Sequence, residues 1–140
     1  MIRVLTVTLF ILAQAPVVAA ASTCAGPDLA MTSVSVQSVT KTRFLNKYRV
    51  VGTVTNVGGA MQGSNVLQLV DINQYGNRLD DRGVPPLAPG QSYIVAYVWN
   101  RSVDAGGGTT PLTFHLRGVA PLPVTLNDCN PANDSYDIRF

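Results

Sequence analysis

The chain has 140 residues, ten lysines and arginines against eight aspartates, no glutamate, and a formal net charge of +2. One of those cations, Arg3, falls in a segment read below as a leader, so the remainder is nearly neutral and lacks the basic excess of a nucleic-acid binder. A chain of this length fills one domain and leaves no room for a second.

Residues 1–21 follow the plan of a secretory signal peptide. Arg3 supplies the positive charge, residues 4–13 are mostly apolar, Pro16 breaks the run, and Ala19, Ala20, Ala21 and Ser22 offer cleavage after Ala20 or Ala21. Thr6, Thr8, Gln14 and Pro16 interrupt the apolar stretch too often for a transmembrane helix, which needs about 20 apolar residues. The expectation is an exported protein, periplasmic or extracellular, with no stable membrane insertion once the leader is removed. Residues 22–140 form its single domain. Cys24 stands where a bacterial lipoprotein would carry its acylated cysteine, but Ala21-Ser22-Thr23 departs from the tripeptide that precedes such a residue. In an oxidising compartment the two cysteines, Cys24 and Cys129, have one intramolecular pairing open to them, a disulfide closing most of the domain into a loop. A redox pair would read Cys-x-x-Cys, and two distant cysteines with the lone His115 are too few for a metal site.

Along the domain, residues 28–39 alternate apolar and small polar side chains. They predict a first strand, bent near Thr32-Ser33, with Leu29, Met31, Val34, Val36 and Val39 facing inward. A turn carrying Lys41, Arg43, Lys47 and Arg49 follows and is read as a solvated connection. The second strand places Tyr48, Val50, Gly52 and Val54 on one face and Arg49, Val51, Thr53 and Thr55 on the other, and it stops at Asn56, Gly58 and Gly59, residues that tolerate tight turns. Residues 64–72 predict a third strand, apolar on both sides at Val66, Leu67, Leu69 and Val70, which suits a strand covered on both faces or bulged. The polar stretch 73–82 reads as a hairpin-like excursion at a sheet edge.

Leu87-Ala88-Pro89-Gly90 predicts a tight corner, since proline presets the first central turn position and glycine accepts the second. Tyr93, Val95, Tyr97 and Trp99 then alternate with Ile94, Ala96 and Val98 on the strand richest in core candidates. Residues 104–108 read as a mobile glycine loop. Leu112, Phe114 and Leu116 rise from it against Thr113, His115 and Arg117. Pro121 and Pro123 mark an edge or crossing segment, and Tyr136, Ile138 and Phe140 close the chain on a last strand. No useful helical period appears. About seven short strands with regular turn signals define an all-β immunoglobulin-like or fibronectin-III-like β-sandwich.

Four motifs in order, Pro27-Asp28-Leu29, Val54-Thr55-Asn56-Val57-Gly58, Leu87-Ala88-Pro89-Gly90-Gln91-Ser92 and Asn130-Pro131-Ala132-Asn133-Asp134, resemble the CARDB family, the cell-adhesion-related domain found in bacteria. The resemblance spans almost all of residues 22–140 and implies an immunoglobulin-like sandwich in an exported protein. Pro131 stands where the family commonly has a glutamate and Asp134 replaces the second of its paired asparagines, so no calcium or polar-cap role is carried over to this loop.

No catalytic residue, cofactor site or metal site is expected. His115 lies on a polar strand face and no Gly-x-Ser-x-Gly elbow accompanies it, which argues against an enzyme. Asp80, Asp81 and Asp104 have the oxygen chemistry of a calcium site, but the reading adopted is solvated loop carboxylates. With no glutamate and two lysines, strand edges are guarded only by Arg, Pro and Asp, so residues 73–86 or the final strand are expected to offer a surface for strand addition. The functional expectation is an adhesion-like binding or structural module of the bacterial cell envelope, engaging a protein or glycan. The alternative is a secreted inhibitor or assembly factor acting through a loop or strand edge.

Overall fold

Val, Thr and Tyr recur along the domain, and among the described residues the backbone forms seven antiparallel strands. The computed structural model describes residues 24–64, 67–104, 110–119 and 128–140. The strands are β1 (Leu29–Lys41), β2 (Leu45–Asn56), β3 (Leu67–Gln74), β4 (Asn77–Val84), β5 (Ser92–Ser102), β6 (Pro111–Val119) and β7 (Ser135–Arg139), with one 3-10 turn at Pro131–Asn133. The leader, the glycines 106–108 and the segment with Pro121 and Pro123 lie outside the described residues.

One sheet has the order β1-β2-β5 and the other β4-β3-β6-β7. The chain crosses between sheets after β2, after β4 and after β5, which is the three-plus-four, Greek-key arrangement of an immunoglobulin-like or fibronectin-III-like sandwich. Every strand therefore runs between the same two ends of the sandwich. Cys24, residues 57–64, the 85–91 connection and the 3-10 turn gather at one end, here the disulfide end. The β1–β2 turn, the β3–β4 turn at Tyr75-Gly76 and Phe140 gather at the other, the hairpin end.

The core comes from both inner faces. Leu29, Met31, Val34, Val50, Val54 and Val95 from the first sheet meet Val70, Ile72, Val84, Leu112, Phe114 and Leu116 from the second. A Cβ at Gly52 would approach Phe114 Cδ1 to 2.9 Å, so glycine there makes the room that the central phenylalanine occupies. At the hairpin end the rings of Tyr48, Trp99 and Phe140 pack together, with centroids 4.8 to 5.9 Å apart. The expected corner is present: Gln91 N donates to the Ala88 carbonyl at 2.9 Å, closing the Pro89-Gly90 turn.

Two features depart from the sequence pattern. β1 bends at a register shift between Met31 and Ser33, as expected, and shifts again between Val36 and Ser38, and Val36 and Val39, expected to face inward, are exposed. From Ser35 to Lys41 every residue of β1 is exposed. β3 begins at Leu67, with Ser64 in a turn, and turns Gln68 inward while Leu67 is exposed. The excursion at 73–82 is, as expected, a hairpin at a sheet edge, formed by β3 and β4. Arg82 of β4 reaches across to the first sheet, donating from Nε to the Ala96 carbonyl at 3.3 Å, and so covers part of the β5 edge. Beside it, burial and then the negative charge of Asp80 push the Tyr97 phenol above its ordinary pKa.

Candidate functional site

The four motifs, far apart in sequence, meet at the disulfide end. Asn56 is fully buried there and spends its whole hydrogen-bonding capacity. Its Oδ1 accepts from Asp28 N at 3.3 Å and Gly58 N at 3.0 Å, and its Nδ2 donates to the Ala60 and Leu87 carbonyls, each at 2.8 Å. Its main chain pairs with Gly90 and Gln91 of the corner, and Val57 N donates to the Asp28 carbonyl at 2.7 Å. Gly58 is required by close approach, since a Cβ would lie 2.3 Å from the Gly26 carbonyl oxygen.

The closing loop joins the same network. Asn130 Oδ1 caps the 3-10 turn by accepting from Ala132 N, Asn133 Nδ2 donates to Asp28 Oδ1 at 3.0 Å, and Leu116 N donates to the Asp134 carbonyl at 2.8 Å. The loop is thus a polar cap after all, with Asn133 and the Asp134 backbone doing what the altered motif had argued against. Cys24 and Cys129 are joined in a disulfide across this end, with Cα atoms 5.9 Å apart.

Beneath the cap is a small cavity lined by Pro27, Leu29, Gln62, Gln68, Leu116, Arg117, Asp128 and Asp134. Gln68 Oε1, Asn133 Oδ1 and Asp134 Oδ1 are buried without a donor among the described residues. Burial first, then the neighbouring carboxylates of Asp128 and Asp28, push the Asp134 carboxyl up to about 7. The native state therefore holds a proton that the unfolded chain releases near the ordinary aspartate value. This contribution is fully present below about pH 4 and lost as pH rises to about 7. Asp134→Asn, whose amide stays neutral, is expected to remove that slope and to raise the urea midpoint relative to wild type at about pH 8 but not at about pH 4. Parallel pH profiles for the two proteins would refute the assignment.

His115 lies on the outer face of the four-stranded sheet, in a cross-strand row with Asp71 of β3 and Ser135 of β7. Its Nδ1 is 2.7 Å from Ser135 Oγ, but the Asp71 carboxylate is engaged by Arg117 and by Arg78. Asp80 pairs with Arg82, and Asp81 with Arg78 at 3.4 Å. Among the described residues no three acidic, histidine or cysteine side chains are grouped to hold a metal ion, and the structure does not bring Asp104 into such a group.

At the hairpin end, Thr42 closes the β1–β2 turn, with Thr42 N donating to the Leu45 carbonyl at 2.8 Å and Leu45 N donating to Thr42 Oγ1 at 3.0 Å. Phe44 projects from the turn 70% exposed, with the Arg43 guanidinium 5.3 Å from its ring centre. Val103 N donates to the Phe44 carbonyl at 3.1 Å, so the end of β5 is tied to the same tip. Val39, Leu45 and Val103 are 43%, 39% and 42% exposed around it. Lys41, Arg43 and Lys47 are exposed there, and none of the ion pairs among the described residues involves them.

Fold and geometry define a disulfide-linked, two-sheet β-sandwich with a latched polar end and an apolar, basic end. No family model, no curated protein and no solved structure matches this chain.

Proposed function

We propose that the chain is an exported, non-enzymatic binding or structural module of the bacterial cell envelope, adhesion-like in the manner of the CARDB domains it resembles, and that it engages a protein or glycan. The observation that supports a binding role is topological: residues 73–86 and the final strand, the two segments expected to offer a free edge, supply β4 and β7, the outer strands of the four-stranded sheet. An edge strand carries unpaired backbone donors and acceptors that an extended segment of a partner can complete. Of the two, β4 is the longer, with eight residues against five, and exposes Leu79.

The test is site-specific photocrosslinking in the envelope. A photoreactive residue at Leu79 or Tyr136, along the two edges, is expected to trap a discrete partner, and one at Ser33 on the other sheet is not. A protein that stays strictly monomeric and traps nothing from either edge sinks the proposal.

A further inference from the structure

We propose that the hairpin end docks on an anionic lipid surface, with Phe44, Val39, Leu45 and Val103 entering the interfacial layer and Lys41, Arg43 and Lys47 holding the headgroup phosphates. This goes beyond the edge-binding reading and uses a different part of the molecule.

Three observations carry it. First, the tip is apolar where a soluble strand connection is ordinarily polar. Phe44, 70% exposed, sits at the apex, and the exposed aliphatic residues Val39, Leu45 and Val103 lie in the last part of β1, at the start of β2 and just past the end of β5. Second, the cations are uncommitted. Lys41, Arg43 and Lys47 make no ion pair among the described residues, whereas Arg78, Arg82 and Arg117 are each paired with aspartate. Asp104, two residues past the end of β5, donates its N-H to Ser102 Oγ at 3.3 Å. Third, the tip is rigidly presented, because Thr42 closes the turn and the Val103 N-H ties it to β5.

A convex tip that couples unpaired positive charge to exposed hydrocarbon matches a phospholipid interface, which offers anionic headgroups above an apolar layer. An anionic glycan would match the charges but has no use for three aliphatic side chains. An acidic protein groove would need a complementary cavity around a protruding phenylalanine. Docking at the interface keeps the strand backbone in water and requires no spanning element. Among the described residues no helix is long and apolar enough to cross a membrane.

Flotation of the disulfide-bonded protein with vesicles tests this directly. Binding is expected to vesicles of phosphatidylcholine mixed with phosphatidylglycerol, to fall with added salt, and to be absent with phosphatidylcholine alone. Phe44→Ser is expected to weaken it about 10-fold through lost apolar contact. The triple change Lys41→Gln, Arg43→Gln, Lys47→Gln is expected to weaken it about 100-fold, taking roughly 5-fold per cation near an anionic surface. Ile94→Ser, which removes a 65%-exposed apolar side chain from the outer face of the same sheet, serves as the control and is expected to bind as wild type. All the changes are on the surface, so an unchanged melting profile confirms folding in each variant. Failure to float with anionic vesicles, equal binding to neutral ones, Phe44→Ser or the triple variant binding as wild type, or retention on an immobilised acidic polysaccharide without vesicle binding would each overturn the proposal. None of these outcomes bears on crosslinking from β4 or β7, so the two readings stand or fall separately.

Discussion

Asn56→Ala is expected to destabilise the protein by about 3 to 5 kcal/mol in urea denaturation, a large fraction of the stability of an ordinary domain. The substitution leaves the Asp28 and Gly58 amides and the Ala60 and Leu87 carbonyls without their partner in a fully buried setting. Each orphaned buried group costs about 1 to 3 kcal/mol, partly relieved where water can enter, so the sum falls short of four full penalties. Asn56→Asp sharpens the test. It keeps an acceptor for Asp28 and Gly58 but trades both donated bonds for a buried charge, and is expected to be at least as damaging as alanine. If both variants unfold at the wild-type midpoint, the asparagine is not the latch of this end.

Loss of the disulfide, by Cys24→Ser together with Cys129→Ser, is expected to lower stability by about 4 to 5 kcal/mol. The bond joins residues 105 positions apart, so opening it restores to the unfolded chain the freedom of nearly the whole domain. Equilibrium unfolding of oxidised and double-serine proteins in the same buffer measures the difference. Coincident curves would show that the link adds nothing the folded network does not already enforce. The two perturbations act on one end of the molecule, since Cys24 leads into Asp28 and Cys129 into Asn133. Their combined effect is therefore expected to differ from the sum.

Much of the sandwich could be read from side-chain alternation. Leu112, Phe114 and Leu116 against Thr113, His115 and Arg117 is an unambiguous period of two, and these apolar residues are buried as that pattern requires. Val36 and Val39 show where the rule stops. Alternation says which way a side chain points, but not whether anything lies opposite to cover it. Gln68 shows the converse: a glutamine between leucines looks outward-facing until the pairing of β3 with β6 sets the pleat and turns it in.

The disulfide end was legible in pieces only. Asn56 announced a turn through its Asn-x-Gly spacing, and Pro89-Gly90 announced a corner. Nothing local in either says that the asparagine side chain bonds the Leu87 carbonyl 31 residues away, or that Asn133 bonds Asp28 across 105. Those contacts exist because three chain crossings deliver the segments to one place. The hairpin end was harder still. Lys41, Arg43 and Lys47 read as ordinary turn charges, and only the uncovered stretch of β1 and the exposure of Phe44 gave them apolar company.

The position of the sulfur link also sets how the domain carries load. A pull applied between Cys24 and the C-terminal Phe140 passes through the link straight to Cys129, so residues 25–128 lie off the tensioned route. The force can peel only the 3-10 turn and β7, a tether of about 11 residues whose fully extended length is roughly 35 to 40 Å. Six of the seven strands would keep their shape under a tension that had stripped the last one away.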